Sequence, residues 1–455
     1  RKCVELLIYL ILFLLVLIVS STTNKLLPFL PLPLVQILLG IVIGLFLPNT
    51  DFHLNTELFL ALVIGPLLFR ESEEADITAI LKHWRIIVYL IFPVIFISTL
   101  SLGGLAHLLW LSLPLAACLA VGAALGPTDL VAFASLSERF SFPKRVSNIL
   151  KGEGLLNDAS GLVAFQVALT AWTTGAFSLG QASSSLIFSI LGGFLIGFLT
   201  AMTNRFLHSF LLSVRATDIA SELLLELSLP LVTFFLAEEV HVSGIIAVVV
   251  AGILKASRFK KITLLEAQVD TVTETVWHTV NFMLNGSVFV ILGMELEMIA
   301  EPILTNPIYN PLLLLLSLVA LTFVLFAIRF IMIYGYYAYR TRRLKKKLNK
   351  YMKDMLLLTF SGVKGTVSIA TILLIPSNLE QEYPLLLFLV AGVTLVSFLT
   401  GLVVLPHLSD EQEESKDYLM HIAILNEVTI ELEKELEDTR NKLPLYAAID
   451  NYHGR

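Results

Sequence analysis

The run Ala123-Ala-Leu-Gly-Pro-Thr-Asp129 interrupts an apolar stretch with a helix breaker and a charge. Pro127 removes a backbone donor and blocks the carbonyl of Ala123, and Gly126 weakens the turn beside it. Backbone groups freed inside a bilayer are tolerated only where they are buried in protein or line a cavity. Thr128 and Asp129 stand next to the break, ready to satisfy them. Two readings stay open: a kinked helix whose Asp129 caps a broken turn, and an ion site built on the same break.

The surrounding composition makes this a membrane problem. Of 455 residues, 56% are hydrophobic and only 15% are charged, against roughly 25% charged in soluble domains. Counting apolar stretches of about 20 residues gives about thirteen candidate spans, so the expected fold is an all-α polytopic membrane protein. The chain begins at Arg1 rather than Met, which fits a few residues missing ahead of it. Residues 4–19 are apolar with no small-residue cleavage site after them, so a first span is expected rather than a signal peptide. Only Cys3 and Cys118 are present, and no disulfide framework is indicated.

Alternate connections carry the basic residues: Lys25; Lys82 and Arg85; Arg139 to Lys151; Arg205 and Arg215; Lys255 to Lys261; then Arg340 to Lys353. The connections between them, at 48–56, 110–113, 175–185, 238–240, 294–310 and 376–383, hold no Lys or Arg. The positive-inside rule puts the basic loops in the cytoplasm of a multi-pass cell-membrane protein. An odd span count then puts the N-terminus outside and the tail, 408–455, inside. In the tail Leu419, Ile422, Leu425, Val428, Leu432 and Leu436 recur at helical spacing, either as a regulatory or dimer-contact segment or as a solvated helix.

Charges deep in spans are costly and usually face a partner or a polar cavity. Lys151-Gly-Glu-Gly-Leu-Leu-Asn-Asp-Ala-Ser160 places Glu153 and Asn157 on one face of a helix, with Gly154 and Asp158 about 100° round. Two carboxylates and an amide there need a cation, a proton or an Arg; the bland alternative is a structural polar cluster. Arg329 is the one deep cation of its span and stays protonated. Glu153 is its natural partner. Thr359-Phe-Ser-Gly-Val-Lys-Gly-Thr-Val-Ser368 is a second interrupted helix, carrying Lys364, whose alternative role is to snorkel. Two broken helices in corresponding halves point to a transporter with inverted repeats. Broken ends expose partial charges of both signs, which Asp129 and Lys364 can neutralise.

Other polar groups carry less. Arg70, Glu71, Glu73 and Glu74 read as a solvated face; Glu222 and Glu226 as a funnel lining or solvated positions; His241 and His278 as structural. No Walker A spacing occurs. The acceptor Asn285-Gly-Ser287 lies within a span. No cofactor and no nucleic acid are expected.

Thr128-Asp129 followed by Glu153-Gly-Leu-Leu-Asn157-Asp158 resembles the signature of the cation–proton antiporters that include the sodium/hydrogen exchangers. Gly362-Val-Lys-Gly-Thr-Val-Ser368, Ser243 to Gly252 and Asn285 to Gly293 are similar to the same family in the same order, over about residues 5–407. The resemblance implies a secondary active transporter rather than an enzyme, with thirteen spans and two inverted six-span repeats. It implies scaffold and dimerisation helices in 1–85 and 176–298, and a mobile core in 86–175 and 299–407 where two broken helices cross, the whole a homodimer in the lipid bilayer. Asp158 becomes the carboxylate that takes Na⁺ or H⁺, with Thr128 and Asp129 shaping the site and Thr128 a second Na⁺ ligand. Glu153 pairs with Arg329. Asn157 stands where electrogenic relatives have a second Asp, which implies electroneutral exchange. Gly154 stands where the family commonly has Ser, and Lys364 where it often has Arg. One carboxylate that binds either a cation or a proton makes the two compete, and a core that crosses only when it is occupied couples their fluxes. The rivals are K⁺/H⁺ exchange on the same scaffold, a channel or cation sensor, and a membrane-embedded hydrolase.

Overall fold

The computed structural model describes residues 2–27, 32–46, 56–75, 77–129, 132–133, 142–175, 179–214, 218–256, 264–305, 309–343, 345, 348–372, 374–375 and 382–409. For some helical residues, Asp158 among them, only the backbone path is described. By internal contacts the chain divides into 1–409 and 410–455. The described residues all belong to the first unit, so the expected tail helix lies outside them.

The described residues form helices and turns and no strand. In chain order they are α1 (Lys2–Leu26), α2 (Leu32–Phe46), α3 (Gly65–Glu73), α4 (Trp84–Leu109), α5 (Leu115–Ala124), α6 (Lys144–Thr174) and α7 (Leu179–Ser213). There follow α8 (Ile219–Glu239), α9 (Gly244–Ala256), α10 (Leu264–Thr305), α11 (Pro311–Arg343), α12 (Met352–Phe360), α13 (Thr366–Ile372) and α14 (Tyr383–Leu408). A short turn of helix, Thr56–Phe59, leads into α3, and another, Ile77–Lys82, precedes α4.

Local chemistry sets many of these ends. Asp218 accepts from the Ser221 amide while the Ser221 hydroxyl accepts from the Asp218 amide, a capping box that starts α8. Gly175 ends α6 at φ +67°, the left-handed conformation that glycine adopts without strain. Pro93 lies in a π turn, Leu90–Val94, inside α4, and another π turn, Leu60–Ile64, comes just before Pro66. Each wide turn absorbs the donor that proline lacks.

Among the described residues six helical stretches are long and apolar enough to cross a membrane: Trp84–Leu109, Ile187–Leu211, Ile219–Glu239, Thr271–Met298, Pro311–Arg343 and Tyr383–Leu408. The apolar parts of α1, α2, α5 and α9 are shorter. Helix α2 runs over 15 residues and α9 over 13. Large apolar side chains such as Leu312, Phe323 and Phe206 are more than 70% exposed. Outward apolar faces of this extent suit lipid, not water.

Two sets of neighbours organise the packing. Helix α4 packs on α5, α5 on α6, and α11 on α4, α12 and α14, while α13 lies on α14 and α5. Separately, α2 packs on α10, and α9 packs on α3, α7 and α8. The first set brings the two interrupted helices together.

Candidate functional site

Helix α5 ends at Ala124; the Gly126 amide makes a last tight-turn bond to the Ala123 carbonyl at 3.2 Å, and past Pro127 the chain is irregular before a new turn that includes Ala132 and Phe133. Helix α12 likewise ends at Phe360, and residues 362–365 are irregular before α13 begins. The two breaks cross and bond directly: the Asp129 amide donates to the Val363 carbonyl at 3.1 Å.

Each break caps the other. The Lys364 ammonium donates to the Gly126 carbonyl at 2.8 Å and the Pro127 carbonyl at 2.5 Å, the acceptors that the break in α5 leaves without helical partners. Asp129 accepts from the Ala132 amide at 2.9 Å on one oxygen and from the Val367 amide at 3.5 Å on the other. Its carboxylate therefore caps its own downstream turn and the first turn of α13, where a negative charge meets the positive end of the helix dipole. Asp129 and Lys364 are 3% and 1% exposed, so Lys364 does not snorkel. Gly365 makes the crossing possible, because a Cβ there would stand 2.0 Å from an Asp129 carboxylate oxygen.

Helix α6 supplies the adjoining wall. The Asn157 amide group donates to the Thr128 hydroxyl at 2.7 Å and to its carbonyl at 3.1 Å. The Thr128 hydroxyl donates to Glu153 at 3.1 Å. Arg329 of α11 meets Glu153 end-on, with both terminal nitrogens donating at 2.7 and 2.8 Å, while its Nε–H donates to the Leu358 carbonyl at 3.0 Å. This fork is the strong geometry for a guanidinium and a carboxylate. A Cβ at Gly362 would stand 2.3 Å from the Arg329 Nε, so only glycine lets the side chain pass. One chain of bonds thus links Asn157, Thr128, Glu153, Arg329 and α12.

The Asn157 side-chain amide oxygen, Oδ1, is buried and has no hydrogen-bond partner among the described residues. A buried acceptor without a donor is costly, and an oxygen of this kind suits a hard cation such as Na⁺. Asp158 follows it on the backbone of α6; its side chain lies outside the described residues. Among the described residues no group of three His, Cys, Asp or Glu side chains is placed to hold a metal.

Some participants have no clear mark in the sequence. Ser397 of α14 accepts from the Lys364 amide at 3.1 Å and fixes that residue's backbone. Ser160 donates to the Ile91 carbonyl at 3.3 Å, at the π turn of α4. Their only signal is a small hydroxyl in an apolar span, which usually bonds to its own helix.

The charges ending α3 differ from the expectation of a solvated face. Glu73 meets Lys255 of α9 at 3.2 Å, and Lys255 meets Glu226 of α8 at 2.8 Å, with all three side chains 15% exposed or less. Trp277 of α10 donates to Glu226 at 2.9 Å, and Arg70 pairs with Glu73 at 2.9 Å. Glu74, at 57% exposed, is the member that does face outward. Glu222 pairs with His208 at 2.6 Å. Helix packing brings the Glu73–Lys255–Glu226 network and Trp277 together from four elements, α3, α9, α8 and α10, which spacing within any one of them does not reveal.

Comparison with known proteins places this architecture. Residues 10–409 match the model of the family described as "Sodium/hydrogen exchanger, transmembrane". The "Sodium, potassium, lithium and rubidium/H(+) antiporter" of Bacillus pumilus is 33% identical over 95% of this chain and 64% of that protein. Its namesake in Bacillus subtilis is 35% identical over 86% of this chain and 60% of that protein. The chain therefore spans about three fifths of the length of these Bacillus relatives. An Escherichia coli protein named "Uncharacterized Na(+)/H(+) exchanger YjcE" is 30% identical over 93% of this chain and 81% of its own length. The fold is shared with the sodium proton antiporter MjNhaP1 of Methanocaldococcus jannaschii, at 19% identity and a TM-score of 0.61, over 88% of this chain and 96% of that one. With its apolar helices and a family match running from α1 to the end of α14, this is a multi-pass membrane protein, and it belongs to the sodium/hydrogen exchanger family.

Proposed function

We propose that the chain exchanges Na⁺, or a similar monovalent cation such as Li⁺, for H⁺ across the cell membrane, one for one. The crossing of the two interrupted helices carries this reading. Asp129, Lys364, Glu153 and Arg329 are all buried there, and their formal charges cancel. Asp158 then adds one negative charge to the count, which a single Na⁺ or a single proton neutralises. Asp158 is the exchanging carboxylate. Thr128 and Asn157 offer oxygen ligands at the crossing, and Asp129 and Lys364 hold the crossed ends still.

The path between the two sides is an elevator-type movement. The core of 86–175 and 299–407 crosses against a scaffold of 1–85 and 176–298, which also forms the homodimer. Thirteen spans in two inverted repeats, with the N-terminus outside and the tail in the cytoplasm, complete the arrangement; the alternation of basic and base-free connections supports it. K⁺/H⁺ exchange is the second reading. The printed names of the two Bacillus relatives include potassium, and Gly154 supplies no hydroxyl to sharpen selection for the smaller ion.

Proton flux in proteoliposomes, compared for Na⁺, Li⁺ and K⁺, tests both. Asp158→Asn is expected to abolish cation-dependent proton movement in a protein that still inserts and elutes as the wild type does. Flux near the wild-type rate in that variant would overturn the role given to Asp158. Flux driven by K⁺ alone would select the second reading.

A further inference from the structure

Between the first turn of α4 and the last turns of α11 lies a groove of about 620 Å³. Lys82, Arg85, Arg340 and Arg343 line it, with His83 at its side, and among the described residues that line it there is no carboxylate. That is unexpected in a chain of net charge −6. Asp354 pairs with Arg145 at 3.7 Å. Burial pushes the His83 pKa down, and Arg145, Lys82 and Arg340 push it the same way, so the groove has a cationic field.

Its position says what kind of anion fits. Both flanking helices are apolar and long enough to span the bilayer, so the groove opens at the level where headgroups lie. Trp84 and Tyr339 line it and are 53% and 70% exposed, the amphipathic rings expected at a membrane–water boundary. Below Trp84 an exposed apolar stripe continues along α4 at four-residue intervals, through Val88, Phe92, Phe96 and Leu100. Cationic groups at the top of an apolar track match a ligand with an anionic head and an acyl tail. Tyr89 ties the two helices near the groove, donating to the Met332 carbonyl at 3.2 Å and packing on Tyr336 with ring centroids 5.2 Å apart. A ligand here would therefore contact both.

We propose that this groove holds the headgroup of an anionic phospholipid, with an acyl chain lying along the Trp84–Leu100 stripe. Basic pockets between membrane helices bind such headgroups through direct charge pairing, and long basic side chains reach them by snorkelling. Lipid binding in the groove requires only the membrane placement of the chain and is independent of the exchange chemistry.

The test counts lipids kept by the purified full chain in detergent, using native mass spectrometry, after exposure to phosphatidylglycerol or phosphatidylcholine. The wild type is expected to retain phosphatidylglycerol selectively. The variant Lys82→Gln/Arg85→Gln/Arg340→Gln/Arg343→Gln is expected to retain at least about tenfold less, since each basic group at an anionic surface contributes roughly fivefold. A control with the same charge change elsewhere, Lys25→Gln/Lys144→Gln/Lys151→Gln/Lys350→Gln, should retain it as the wild type does. Should the first variant not fold, Lys82→Gln/Arg343→Gln serves instead and is expected to show an intermediate loss. Unchanged retention in the groove variants, or equal loss in the control, would overturn the proposal. So would displacement of the lipid by equimolar inorganic phosphate or glycerophosphoglycerol, which would mark a site for soluble anions. Lipid counting does not read ion flux, so its outcome and that of the exchange assay are separable.

Discussion

Removing either member of the Glu153–Arg329 pair is expected to destabilise the protein. The pair is buried, with Glu153 at 1% and Arg329 at 3% exposure, and joined by two bonds of 2.7 and 2.8 Å. Breaking one side of such a pair typically costs ~3–5 kcal/mol. In Glu153→Leu the guanidinium keeps its bond to the Leu358 carbonyl, loses both bonds to Glu153 and cannot shed its charge. The full ~3–5 kcal/mol applies. In Arg329→Leu the carboxylate keeps only the Thr128 hydroxyl, and the loss should be of the same size. The double variant Glu153→Leu/Arg329→Leu leaves no orphaned charge. It should be less damaged than the sum of the singles by up to about 3 kcal/mol. Thermal aggregation midpoints in detergent for the two single variants and the double variant give all the terms. Additive losses would refute this account of the pair.

Further outcomes follow from other contacts. Gly365→Ala should remove most exchange while the protein still elutes as a single species, because the added Cβ displaces the Asp129 carboxylate; a rate within twofold of wild type would show that the cap is dispensable. Lys255→Met leaves Glu73 and Glu226 without their shared cation and, since the group is 12% exposed, should lower stability by about 1–3 kcal/mol; an unchanged thermal midpoint would show that the network is a surface feature. Exchange in proteoliposomes clamped with K⁺ and valinomycin should run at one rate at zero and at imposed potential of either sign, since Asn157 carries no proton; a rate that follows the potential would mean a second proton carrier.

The breaks in α5 and α12–α13 were legible because Gly and Pro beside a charge have few other uses inside an apolar run. The Glu153–Arg329 pair was legible for a related reason: buried cations are so costly that few partners had to be considered. The partners of Lys255 are not legible in the sequence, because a basic residue at the end of an apolar stretch ordinarily marks the membrane surface, while Glu73 and Glu226 lie on other helices. Helix ends are hard to read where polar residues continue the helix beyond its apolar part. Thus α10 runs over Leu264–Thr305, although its apolar stretch covers only Thr271–Met298. Which carbonyls Lys364 covers depends on the crossing, and no local pattern encodes that.

The exchanged caps have a consequence for how the protein is made. Lys364 lies 238 residues after Gly126, whose carbonyl it covers. During synthesis the first broken helix must enter the membrane long before its ammonium cap exists. Until then the Gly126 and Pro127 carbonyls have to be kept wet, or covered by the translocation machinery, since hydrocarbon offers no substitute donor. The first half of the chain is therefore unfinished in a chemical sense as well as a topological one. A fragment that stops before α12 should be handled by the cell as an unfolded membrane protein, however apolar its helices are.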